Sequence, residues 1–195
     1  MEQNLVWSWL NEPGFEHLRF VQEQHEVVAN GLIIAVEKDA PFRARYTIRC
    51  DTSWRVREAN IELLDGHVPG VHLRANGKGH WTTASGEAFP SLDGCIDVDI
   101  SATPFTNTIA IRRLNLAVGE AAVLTVAYIK VPEMQIMPMN QRYTCLNTSA
   151  DGGRYRYEGL QSRFTAELEV DHDGLVINYP EIFRRVWSNE ESTTK

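Results

Sequence analysis

The chain has little that would take it across a membrane, through a secretory route or onto a nucleic acid. No run approaches 18 consecutive apolar residues, so no membrane-spanning helix is expected. The opening MEQNLVWSWLNEPG has no basic start and no sustained apolar stretch, and does not read as a secretory signal. Basic residues are outnumbered, 19 Lys+Arg against 26 Asp+Glu, giving a net charge of -7. A basic face for phosphate backbones is therefore not expected, and neither is a nucleic-acid partner. Cysteine is scarce: Cys50, Cys95 and Cys145 are far apart, odd in number and in no CxxC pair. That pattern points to reduced, buried thiols in a cytoplasmic protein, with no disulfide framework.

Catalytic and metal motifs are missing too. His17, His25, His67, His72, His80 and His172 form no HxH or HExxH pair. Ser85 is not in GxSxG, and NGKGHW (76–81) lacks the ending of a phosphate loop. No metal, cofactor or catalytic residue is assigned on these grounds. The 195 residues suit one domain, expected over 1–187 with a polar tail over 188–195.

What is abundant is alternation. RARYTIRCD puts Ala44, Tyr46, Ile48 and Cys50 on one face and arginines on the other, as in a half-buried strand. WRVREANIELL places Trp54, Val56 and Glu58 opposite Arg55, Arg57 and Ala59. AAVLTVAYIKV reads as a strand covered on both faces, and the proline-bearing VPEMQIMPMNQRY as an irregular or edge strand. Turn signals such as VPG, NGKG, SLDG and DHDG punctuate the runs. The fold expected is mainly β, a many-stranded antiparallel sheet without βαβ units.

One segment departs from this. In SATPFTNTIAIRRLNLAVG, Thr103 can cap a helix with Pro104 in its first position, and Gly119 can close the segment. Phe105, Ile109, Ala110, Ile111 and Leu114 make it apolar almost all round, which predicts a single buried helix near residues 104–116.

The preceding strand, CIDVDIS, places Cys95, Asp97 and Asp99 on one face, the two carboxylates about 7 Å apart. From Asp97 to the turn is about 13 Å of strand. From Pro104 to Arg112 is about 12 Å of helix. A helix that folds back therefore brings Arg112 or Arg113 level with Asp97. Adjacent residues point about 100° apart, so only one can face it. An ion-pair lock is the first reading of the cluster, a ligand anchor the second and a catalytic carboxylate pair the third. The aromatics Trp81 and Tyr143 are further candidates for lining a site.

Several blocks together, YTIRCDTSWRVREANIEL, HWTTASGEAFPSLDGCIDVDISATPFTNTIAIRRL, NQRYTCL, RYRYEG and DGLVINYP, resemble a glycolipid-binding family of bacterial proteins. The likeness spans roughly residues 30–185. It implies a spiral β-roll, a sheet wrapped around one helix, and a homodimer. It also implies a glycolipid or other amphipathic ligand bound without catalysis; the residues read above, Asp97, Asp99, Arg112, Arg113, Trp81 and Tyr143, are the candidate ligand contacts. The family pattern favours proline where this chain has Ala110, so a more continuous helix is expected here. The alternatives are a sugar-active hydrolase using Asp97 and Asp99, or a structural, dimerising protein without a ligand.

Overall fold

Strand β4 (Ala40–Asp51) sets the pattern for the molecule: Ala44, Tyr46, Ile48 and Cys50 all point inward and are buried, while Arg43 and Arg45 point out. The computed structural model describes residues 1–66 and 68–189; of the tail expected over 188–195, Ser188 instead ends the last strand and Asn189 bonds to Asn4, while residues 190–195, and His67, lie outside the described residues. The other strands are β1 (Glu2–Trp9), β2 (Gly14–Gln22), β3 (Glu26–Glu37), β5 (Val56–Leu63), β6 (Val71–Ala75), β7 (Trp81–Thr83), β8 (Asp97–Ile100), β9 (Ala121–Lys130), β10 (Gln135–Ser149), β11 (Gly152–Gly159), β12 (Phe164–Asp171), β13 (Val176–Tyr179) and β14 (Phe183–Ser188). One helix, α1 (Phe105–Leu114), lies between β8 and β9.

All 14 strands form one sheet in the order β7-β6-β5-β4-β3-β2-β1-β14-β13-β12-β11-β10-β9-β8. Every neighbour in that list is a neighbour in sequence except β1 and β14, which pair in the middle. The two free edges, β7 and β8, therefore follow one another along the chain. They meet at a seam without ladder pairing, bridged by the Trp81 indole N–H donating to the Cys95 carbonyl at 2.7 Å and the Gly94 amide donating to Gly79 at 2.8 Å. The sheet is thus rolled almost shut, with α1 inside it.

The roll holds α1 from several sides. Phe105 meets Phe20 of β2 at 5.9 Å between ring centroids, and Tyr143 of β10 donates to Asn107 at 2.9 Å. Residues Phe105 through Ile111 are all buried. Burying a Phe or Ile stabilises by about 1.5–3 kcal/mol. Each β-branched residue in the helix costs only a few tenths to about 0.7 kcal/mol relative to alanine. Burial therefore outweighs the poor propensity of Thr106, Thr108, Ile109 and Ile111, and the helix runs unbroken through Ala110.

The mainly antiparallel sheet with one buried helix is as expected, and the departures have local causes. β8, α1 and β9 form a parallel βαβ unit, Asp97 pairing with Val126 and Ile100 with Ile129, which the turn-rich pattern did not predict. α1 ends at Leu114, not near Gly119, because Asn115 adopts the left-handed conformation at φ 45° that stops a helix. At the other end Pro104 already has helical dihedrals, and the Thr103 hydroxyl accepts the Phe105 amide at 3.1 Å. In β5 a bulge opposite Arg49 and Cys50 inserts one residue, so Ala59 and Ile61 turn inward and Glu58 does not follow Val56. Trp54 precedes the strand, in a turn at φ 62°. β9 is not covered on both faces along its length, since Val123 stays half exposed on the outer side. β10 is a continuous 15-residue strand with a register shift at Cys145–Asn147; as expected for its proline-bearing part, residues 135–140 are an edge, where β9 but not β11 pairs with it, so the missing N–H of Pro138 faces no ladder.

Gly31 of β3 lies opposite Tyr46, whose ring crosses it to reach Glu16. A Cβ at position 31 would run into that ring. Gly31→Ala is expected to destabilise by about 1–3 kcal/mol through overpacking, read as a lower urea midpoint with an unchanged slope.

Candidate functional site

The strand-then-helix hairpin delivers Asp97 to Arg113. The guanidinium Nε and Nη2 donate to the two carboxylate oxygens at 2.6 and 2.7 Å, a parallel two-bond fork. Asp97 is 1% exposed. Burial pushes its pKa above the ordinary carboxylate value even though Arg113 pulls it down. Both oxygens are committed, so Asp97 is a fastening for the helix against its strand.

Arg112 points elsewhere. Its guanidinium carbon lies 5.2 Å from the centroid of the Trp54 ring, and Trp54 is itself stacked on Phe20 at 5.9 Å and 20°. Its stem passes beneath Gly174, where a Cβ would come within 3.0 Å of Arg112 Cδ. No carboxylate of the described residues is within ion-pair distance of it. Arg112 and Arg113 both line a polar cavity of about 570 Å³ at the C-terminal end of α1.

Asp99, one step along β8 on the same side, faces a second cavity of about 310 Å³ beside the N-terminal half of α1. It accepts from the Thr106 hydroxyl at 2.9 Å and from the Gln141 amide at 2.5 Å, and meets no cation among the described residues. Burial pushes its pKa up, against the pull of those two hydrogen bonds. Asn107 and Gln141 complete a polar floor, and Tyr128, Tyr157, Phe164 and Tyr179 stand around it. Tyr157, Phe164 and Tyr179 touch one another, with centroids 6.1–6.2 Å apart. Carboxylate and amide groups at the base with aromatic faces along the wall can bind hydroxyl groups edgewise while rings cover C–H faces.

Of the other sequence candidates, Tyr143 backs this cavity from the core, 2% exposed, with its hydroxyl held by Asn107. Trp81 lines neither cavity; it is 1% exposed and ties the seam. The sequence reading missed the tyrosine and phenylalanine wall. Tyr157 was visible in RYRYEG, but Phe164 and Tyr179 come beside it only through the register of β11, β12 and β13. It also missed Glu16, fully buried, whose Oε1 accepts from Tyr46 at 2.5 Å and Thr103 at 2.8 Å. Its signal was present: Glu16 alternates in phase with Leu18 and Phe20.

The fold is a β-roll, almost closed, around a central helix, with a cavity at each end of that helix. The chain belongs to the family described as "Putative glycolipid-binding", whose sequence profile matches residues 4–185. It is also similar to a solved crystal structure of a DUF1089 family protein from Pseudomonas aeruginosa. The two share 41% identity with a TM-score of 0.78, over 89% of this chain and 92% of that one. No curated protein matches the sequence.

Proposed function

We propose that the protein binds the sugar head group of a glycolipid, or a similar amphipathic molecule, in the cavity beside Asp99. The observation that carries this reading is the pairing of a carboxylate free of cations with an aromatic wall in one cavity. The family description supports it. Its volume of about 310 Å³ is at the small end for ligand sites, which commonly span about 300–1,000 Å³. The cavity thus suits a head group and the start of a chain, with the remainder outside. The hydrolase reading has less support, because Asp97, the second carboxylate it needs, is held at both oxygens by Arg113.

Titration with a panel of short alkyl glycosides, followed by amide chemical shifts, tests the reading. Saturable shifts are expected around Gln141 and Tyr157. Asp99→Ala is expected to weaken binding by about tenfold or more, the worth of hydrogen bonds to a charged group. Tyr157→Ala should weaken it as well. Absence of any saturable shift across the panel, with no lipid carried by protein purified from its own host, would sink the proposal.

A further inference from the structure

The cavity at the C-terminal end of α1 shares no lining residue with the one beside Asp99. Its charges largely cancel in pairs. Arg113 is spent on Asp97. Asp171, the one acid in its lining, is held by Arg185 at 2.5 Å and by the backbone amides of Asp173 and Leu175. His172 lies 3.1 Å from Asp173. What remains is Arg112. The helix C-terminus offers it about half a negative charge, which leaves roughly half a positive charge uncompensated. A helix-end role alone does not require the further arrangement seen here. The stem packs under Gly174 and the guanidinium lies over Trp54, which positions the group with donors left over in a polar cavity. Arginine's planar fork matches the oxygens of phosphate, and holding it in advance reduces what binding must order.

We infer that this cavity is a second binding site, for a phosphate-type anion, with Arg112 as its anchor. The exposed hydroxyls of Ser53 and Thr148 line the same cavity and can donate to the same oxygens. The anion's source is either a free phosphate or a phosphorylated lipid head group. The inference is independent of the sugar site: either can fail while the other stands.

The test uses the full chain with its arginine side chains and tryptophan indoles isotopically labelled. Inorganic phosphate is titrated against chloride at matched ionic strength. Saturable shifts are expected at the Arg112 Nε–H and Trp54 indole signals with phosphate alone. Arg112→Gln keeps most of the stem and is expected to weaken binding by about tenfold or more, while Arg112→Lys, which keeps charge without the fork, falls between. Ser53→Asp, on an exposed position, should also weaken binding and serves if the arginine variants fold poorly. A short-chain phosphatidic acid below its micelle concentration separates the sources: much tighter binding than phosphate assigns a lipid head group, equal binding a free phosphate. Shifts that chloride reproduces, or that persist unchanged in Arg112→Gln and Ser53→Asp, would overturn the inference.

Discussion

Arg113→Met is expected to cost about 3–5 kcal/mol at pH 7, the range for breaking a buried ion pair by removing one partner. The variant strands Asp97, 1% exposed, without its counter-ion. Asp97 then has one escape, which is to take up a proton. Its pKa is already raised by burial, and losing Arg113 removes what pulls it down. A proton held at pH 7 that the unfolded chain would release costs stability, by at most about 1.4 kcal/mol for each pH unit above the unfolded pKa. The sign follows from a folded pKa above the unfolded one: stability is fully present below about pH 4 and lost as pH rises. Denaturant midpoints of the variant should therefore approach those of the parent on going from pH 7 to pH 4.5. Asp97→Leu combined with Arg113→Met should recover much of the loss at pH 7, because no charge is left stranded. A single variant whose deficit is small, or is independent of pH, would show that the fork does not fasten the helix.

The second large effect belongs to Glu16. Burial raises its pKa to about 8, although hydrogen bonds from Tyr46 and Thr103 pull the other way. At neutral pH it carries a proton. The geometry agrees: both donors converge on Oε1, as on a carbonyl oxygen, and Oε2 is left to carry the hydrogen. With a folded pKa above the unfolded value near 4.3, its contribution is complete below that value and declines as pH rises to about 8. At about 1.4 kcal/mol per unit, the decline reaches about 4–5 kcal/mol. Glu16→Gln keeps the oxygen that Tyr46 and Thr103 need and cannot ionise. It is expected to melt higher than the parent at pH 8 and to match it near pH 5. A parent protein whose stability is flat from pH 5 to pH 8 at this level of resolution would show that Glu16 is not held protonated.

How legible this was depended on how far each feature reaches along the chain. The inward face of β4 could be read directly because alternation is a property of consecutive residues. The Asp97 partner could be narrowed to Arg112 or Arg113 by matching strand and helix lengths within 22 residues, but not decided, since one residue of helix phase separates them. The β5 bulge was invisible because it depends on pairing with Arg49 and Cys50 in another strand. The cavity beside Asp99 was half legible: its carboxylate lies in a distinctive block, whereas its aromatic wall is assembled from four strands, β9, β11, β12 and β13, whose register no local pattern states.

The pairing of β1 with β14 makes the strand order a ring with a single cut at the β7–β8 seam. During synthesis, β1 to β7 can each add to the strand before, and β8 to β14 can do the same, so two half-sheets can grow in step with the ribosome. Until β14 emerges they have no ladder in common, and α1 has only part of its wall. Loop closure over nearly the whole chain falls on that final strand pair, so the two halves become one hydrogen-bonded sheet only late in folding.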